Sequence, residues 1–220
     1  MKLFLDSANV DQIREVWELG ILDGVTTNPT LVAQQGRAFL DVLKEILDIV
    51  DGPVNAEVVA TEAEAMVEEG ERLAELSKNV VVKIPMTKDG IKAVSLLSKR
   101  KIHTNVTLCF SAAQALLAGL AGATYVSPFM GRVDDIDWDG VELVADIAEV
   151  YHKQGIETQI LAASCRHPLH VTQAAAAGAD VVTMPYEVFE KLFHHPLTDI
   201  GLKRFLDDWE KAKAVLGGIQ

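Results

Sequence analysis

Cysteine is scarce: two in 220 residues, Cys109 and Cys165, far apart and without metal-type spacing. That argues against a disulfide framework and makes two reduced thiols in a cytoplasmic setting the default expectation. Basic residues are outnumbered, 20 against 32 acidic, for a formal net charge of −12. No basic patch stands out, so a nucleic-acid partner is not expected. An anionic substrate would instead need a local cationic pocket. Long apolar runs are missing, and none reaches the roughly 20 residues of a membrane span. Met1 to Asp6 is too short for a signal-peptide core and runs directly into structure, so no membrane partner is expected either. No glycine-rich dinucleotide fingerprint follows the first strand. His167-x-x-His170 has metal-like spacing, but no Cys or carboxylate cluster supports it. Solvated or helix-face histidines are the expectation there.

Half of the chain, 49%, is hydrophobic and 24% is charged, which fits one globular domain over residues 1–220 with a large core. Short β-branched runs alternate with helical patterns. Strands are expected at Lys2–Asp6, Asp23–Val25, Val54–Val59, Val80–Ile84, His103–Leu108, Thr124–Ser127, Glu157–Ala163 and Asp180–Met184. The first helix, capped by Ser7 or Asn9, runs to about Gly20, and the second from about Arg37 to Val50. Thr61-x-x-Glu64 reads as a capping box for a third through Ser77. Further helices are expected over Lys88–Lys99, Ala112–Leu120 behind a Ser111 cap, Val141–Lys153, Leu169–Ala177 ended by Gly178, and Tyr186–Phe193. Thr26 to Pro29 reads as a polar turn, and Pro128 to Asp139 as a loop. Eight strand–helix units in about 200 residues favour a closed (β/α)₈ barrel over an open doubly wound sheet. One more helix follows, from about Leu197 to Leu216.

Lys83 stands out because it interrupts the apolar run Val80-Val-Val-Lys-Ile84. Burying an ammonium group is costly. The bland reading is a structural lysine that snorkels outward or pairs with a carboxylate. The chemical reading is a neutral amine attacking a carbonyl. A free lysine is only about 0.04% unprotonated at neutral pH. An apolar site that lowered such an amine's pKa by about three units would raise that share several hundred-fold. In a barrel, reacting groups sit at the C-terminal strand ends. Asp6, Thr26, Asn28, Glu57, Lys83, Asn105, Thr107, Ser127, Arg132, Ser164 and Arg166 all fall at or just past such ends. Alternation puts Lys83 on one face with Val81. If Val80, Val82 and Ile84 face the helices, Lys83 faces the interior, where Glu57 on the neighbouring strand approaches it.

Over essentially its whole length the chain resembles the small transaldolases and their relatives, the fructose-6-phosphate aldolases. The resemblance rests on Leu5-Asp-Ser7, Gly24-Val-Thr-Thr-Asn-Pro29, Val82-Lys-Ile-Pro85, Asn105-Val-Thr-Leu-Cys-Phe-Ser111, Ser127-Pro-Phe-Met-Gly-Arg132 and Ala163-Ser-Cys-Arg166. It implies a barrel with a Schiff-base lysine on strand four and ketose phosphates as donors. It also implies a ring of five or ten copies in which the last helix reaches a neighbouring subunit. Two positions divide the family: transaldolases carry glutamate and phenylalanine where the aldolases carry glutamine and tyrosine. Glu57 and Phe129 match transaldolase.

The reaction so implied moves a dihydroxyacetone unit from sedoheptulose 7-phosphate or fructose 6-phosphate to glyceraldehyde 3-phosphate or erythrose 4-phosphate, within the pentose phosphate pathway. Lys83 attacks the C2 carbonyl, and Asp6 takes and returns the C4 hydroxyl proton. Glu57 shuttles protons through a water held by Thr107. Direct contact between Glu57 and Lys83 would instead mark an ion pair that holds the lysine charged and inactive, whereas an intervening water favours catalysis. Asn28, Asn105 and Ser127 hold the three-carbon unit, with Thr26 and Phe129 among the substrate contacts, and Arg132, Ser164 and Arg166 hold the phosphate. No metal or organic cofactor is required, because the imine replaces the Lewis acid. The competing readings are a fructose-6-phosphate aldolase releasing dihydroxyacetone, a deoxyribose-phosphate aldolase (which the Thr26–Pro29 motif does not suit), and a catalytically silent barrel scaffold.

Overall fold

The computed structural model describes residues 1–216. Its eight parallel strands close into a barrel in chain order. They are β1 (Lys2–Asp6), β2 (Gly24–Thr26), β3 (Val54–Glu57), β4 (Val80–Pro85), β5 (Thr104–Cys109), β6 (Tyr125–Pro128), β7 (Gln159–Ala162) and β8 (Val181–Met184). The helices are α1 (Val10–Glu18), α2 (Pro29–Gln34), α3 (Phe39–Ile49), α4 (Ala63–Ala74), α5 (Lys88–Lys99), α6 (Ala112–Leu120), α7 (Met130–Asp134), α8 (Gly140–Gln154), α9 (Pro168–Ala177), α10 (Tyr186–Lys191) and α11 (Pro196–Leu216).

Strand alternation divides the apolar side chains into two bodies. Val80, Val82 and Ile84 join the large core between strands and helices. Val81 instead joins Phe4, Tyr125, Leu161 and Val181 inside the barrel. Each fully buried Leu, Ile or Phe contributes roughly 1.5–3 kcal/mol relative to exposure, so these two layers outweigh any single polar contact. The interior apolar layer fills the barrel below Lys83, which shares a face with Val81. The polar strand ends are left facing the rim.

Local chemistry explains most helix boundaries. Asn9 accepts from the Asp11 and Gln12 amides at the start of α1, Thr87 from Gly90 at α5 and Ser111 from Gln114 at α6, each satisfying an orphan helical N–H. Gly178, at φ 95°, ends α9 in the left-handed region.

Three expectations are corrected. Thr61 and Glu64 form no capping box: Glu62 occupies the N-cap of α4 without a side-chain bond. The chain before α4 is tied instead by Glu69, whose Oε2 accepts from the Val59 and Ala60 amides at 3.1 and 3.0 Å. Residues after Asn28 are not merely a turn, since Asn28 accepts from the Leu31 amide and Pro29 opens the six-residue α2. The loop after Pro128 contains α7. No side chain caps it. It is held by its surroundings, with the Met130 amide donating to Ala163 O and the Gly131 amide to Ser164 O.

Candidate active site

Parallel register sets three polar residues level across adjacent strands: Glu57 on β3 pairs with Lys83 on β4, and Lys83 with Asn105 on β5. Their side chains leave the same face, so they meet inside the mouth of the barrel. Lys83 is 6% exposed. Its Nζ lies 2.9 Å from Glu57 Oε2 and donates to the Thr27 carbonyl at 3.0 Å. Glu57 and Lys83 are therefore in the direct contact of an ion pair rather than the water-separated arrangement expected for catalysis, because level register on neighbouring strands brings the two side chains together. An ammonium has three donors, so these contacts leave one.

That amine lines a cavity of about 130 Å³ together with Asp6, Thr26, Asn28 and Ser127. Phe129, Arg132 and Ser164 complete it, with two residues that strand-end reading passed over, Ala163 and Thr183. A second lobe of about 370 Å³ shares Asn28, Lys83, Phe129 and Arg132 with the first and adds Glu57, Thr107 and Leu108. The Thr107 hydroxyl is buried without a protein hydrogen-bond partner, which leaves both its donor and its acceptor for a bound molecule. A wider groove of about 470 Å³ lies elsewhere, beside Trp138 and α8, but it is lined by Asp137, Asp139, Glu142 and Asp146 and offers no cation or activated nucleophile.

Asp6 is tied into the site from one side. Thr26 Oγ1 donates to Asp6 Oδ1 at 2.7 Å. Burial raises the Asp6 carboxyl above its ordinary pKa, against the pull of Lys83 and of the Thr26 hydrogen bond, with Glu57 adding to the rise. Across the barrel a second chain runs beneath the cavity. Ser127 Oγ donates to Asn105 Oδ1 at 2.9 Å, Asn105 Nδ2 to Asn55 Oδ1 at 2.8 Å, and Asn55 Nδ2 to Val25 O at 3.2 Å. Asn105 and Asn55 are fully buried. Ser127 thus reaches the cavity while Asn105 supports it from below.

The two arginines differ. The Arg132 guanidinium stacks over the Phe129 ring at 5.0 Å, and Phe129 meets Phe110 edge-on. Arg132 thus has a place at the cavity, and among the described residues no carboxylate pairs with it. Arg166 is paired with Asp135 at 2.8 Å on the rim and does not line either lobe. The ring of His170 is buried: its Nε2 donates to Asp134 Oδ2 at 3.0 Å, and its Nδ1 accepts from the Arg166 amide at 3.3 Å. Burial chiefly lowers its pKa, so the neutral tautomer fits that pattern. His170 is thus a helix-face histidine, as expected, but turned inward as a buried connector, while His167 caps α9. No metal-type cluster occurs among the described residues.

Two non-glycine residues at the site have left-handed backbones: Leu108, φ 57°, in the bulge beside Thr107, and Ser164, φ 60°, at the other lobe. Such conformations cost of order 1–3 kcal/mol and persist where the surroundings hold them.

A closed eight-stranded barrel with a buried amine, two carboxylates and the Arg132 guanidinium at its C-terminal rim is the arrangement of a barrel enzyme. Residues 3–216 match the Transaldolase/Fructose-6-phosphate aldolase family, and the chain belongs to it. It is 60% identical over 209 residues to a probable transaldolase of Brevibacillus brevis, covering 95% of this chain and 98% of that one. A probable transaldolase of Hydrogenobaculum sp. is 61% identical over 211 residues, with 96% and 97% covered. One from Methanococcus maripaludis is 59% identical over 210 residues, with 96% and 98% covered.

Proposed function

We propose that this chain is a transaldolase that carries its three-carbon unit as an imine on Lys83. The observation that carries the reading is the Lys83 amine, buried in the barrel mouth, touching Glu57 and sharing one cavity with Asp6. A purely structural ion pair needs no cavity beside it.

An ammonium cannot attack a carbonyl, so Lys83 first gives up a proton, and Glu57 is its immediate acceptor at 2.9 Å. The amine adds to C2 of the ketose phosphate, and the carbinolamine loses water to give a protonated imine. Glu57 moves the protons of these steps, with the Thr107 hydroxyl available to hold the water that leaves. Asp6 then takes the C4 hydroxyl proton. The C3–C4 bond breaks, its electron pair passes into the imine, and an aldose phosphate departs, leaving an enamine on Lys83. The enamine attacks the aldehyde of a second aldose phosphate, Asp6 returns its proton, and hydrolysis frees Lys83. Sedoheptulose 7-phosphate and fructose 6-phosphate serve as donors, glyceraldehyde 3-phosphate and erythrose 4-phosphate as acceptors, as in the cytoplasmic pentose phosphate pathway.

Arg132 holds the phosphate with Ser164, since a guanidinium freed from carboxylates suits that dianion. Arg166 joins them when it leaves Asp135. Asn28 and Ser127 hold the hydroxyl groups of the three-carbon unit, with Asn105 orienting Ser127. Glu57 and Phe129 favour transfer over release of free dihydroxyacetone.

The test follows glyceraldehyde 3-phosphate release from fructose 6-phosphate with and without erythrose 4-phosphate. Sustained release that requires the acceptor supports transaldolase. Equal release without it means an aldolase.

A further inference from the structure

Thr183 is the one polar side chain that β8 adds to the cavity, and the chemistry described above does not use it. It is 3% exposed, and its Oγ1 lies 2.6 Å from Thr26 Oγ1. Thr26 Oγ1 in turn lies 2.7 Å from Asp6 Oδ1.

A hydroxyl has one proton. Beside an ionised carboxylate, which only accepts, the Thr26 proton goes to Asp6. The short contact between the two hydroxyls then has a single direction: Thr183 donates to Thr26, and Thr26 donates to Asp6. Donation into an oxygen strengthens the bond that the same hydroxyl makes outward, more so in a buried site. We propose that Thr183 is a positioning residue for the catalytic base, holding the Thr26 proton on Asp6 and thereby keeping that carboxylate ionised and aimed at the substrate. The inference rests on the proposed role of Asp6.

The surroundings show why such support matters. Desolvation is the largest influence on Asp6 and favours its protonated form. The charged groups facing it are Lys83 from β4, which opposes that effect, and Glu57 from β3, which adds to it. Arg132 of α7 lines the same cavity. The Cys165 thiol after β7 also senses Asp6 and is pushed up to about 12, chiefly by burial, so it adds no charge near neutral pH. Hydrogen bonding from Thr26 is therefore one of the two forces that oppose protonation of the base, and Thr183 governs its strength.

The experiment compares Thr183→Val, Thr183→Ser and Asp6→Asn with the wild type over a pH series, measuring erythrose 4-phosphate-dependent turnover of fructose 6-phosphate. Valine keeps the β-branched shape and removes the hydroxyl. The expected result is a fall in kcat of about five- to tenfold for Thr183→Val, with KM nearly unchanged and the acid limb of the kcat profile moved toward higher pH. Thr183→Ser should restore both. Wild-type kcat with an unmoved acid limb in Thr183→Val would overturn the proposal, as would a serine variant that fails to restore them while remaining folded. Asp6→Asn separates the two layers of argument. If it is inactive, the Thr183 result judges Thr183 alone; if it retains full activity, the role of Asp6 is wrong and the proposal falls with it.

Discussion

The Asp6 carboxyl holds its proton more tightly in the folded barrel than in the unfolded chain, because burial outweighs Lys83 and Thr26. A carboxyl raised in this way adds stability at low pH, where both states carry the proton and no charge is buried. That advantage is lost as pH rises from the unfolded value through the folded one. Once ionised, the base is therefore a net burden on the fold. Asp6→Asn, whose amide oxygen still accepts from Thr26, should melt at a higher Tm than the wild type at pH 8 while losing activity. The difference should vanish near pH ~3. Calorimetry at both pH values checks this, and a lower Tm for the variant at pH 8 contradicts it. Arg132 carries a second expectation at this scale. Arg132→Ala should raise KM for fructose 6-phosphate by about tenfold or more, yet change turnover of an unphosphorylated dihydroxyacetone-type donor far less. Equal effects on both donors would remove Arg132 from the phosphate site.

Element α7 shows how packing can create local structure that residue patterns do not announce. With no side-chain cap, its start depends on backbone bonds to Ala163 and Ser164. Gly131 permits that approach. A β-carbon there would sit 2.3 Å from the Ser164 carbonyl oxygen and 2.7 Å from the Arg166 side chain. Gly131→Ala must push α7 away from β7, carrying Arg132 with it. We expect a loss of about 1–3 kcal/mol in stability and a larger drop in kcat/KM for phosphorylated donors than for unphosphorylated ones. Urea denaturation and donor comparison read the two effects, and an alanine variant with unchanged kcat/KM for both donors would show that α7 can shift freely. The helix Ala112–Leu120, by contrast, was legible because Ser111 caps it through a local bond, and Lys88–Lys99 likewise starts at a local cap, Thr87, which the structure adds. The false capping box at Thr61 and Glu64 marks the limit of such motifs. Glu69 and Asp89, distant along the chain, satisfy the amides around that helix start instead.

At the scale of the whole molecule, α11 leaves Leu197, Ile200, Leu202, Phe205 and Leu206 largely exposed. So many large apolar side chains on one terminal helix fit a surface covered by another subunit. That agrees with the ring of copies that the resemblance implies. The chain should therefore run at several times the monomer mass by light scattering, and a double substitution Ile200→Asp with Phe205→Asp should reduce that mass. A wild-type monomer, or an unchanged assembly of the variant, would place the contacts elsewhere.

The alternation of eight strands with helices, and a lysine inside an apolar strand with carboxylates at neighbouring strand ends, follow from short-range periodicity and from the cost of burying charge. Periodicity in the sequence therefore determined the barrel and singled out Lys83 as a candidate, while the family followed from the resemblance of whole motifs such as Val82-Lys-Ile-Pro85. Which polar strand ends meet was decided only by closure of the sheet. Closure sets Thr183 of β8 against Thr26 of β2 across β1, and level register puts Glu57 in direct contact with Lys83. The rule used for the other strands reaches Thr183 too, since it shares a face with Val181 near the end of β8. Its partner does not follow from spacing, because 157 positions separate it from Thr26. Asn105 shifted from a wall of the site to a support beneath it, and Arg166 to a rim pair with Asp135. Side-chain direction at the rim depends on these long-range partners, and a strand's period reveals only which face a residue occupies.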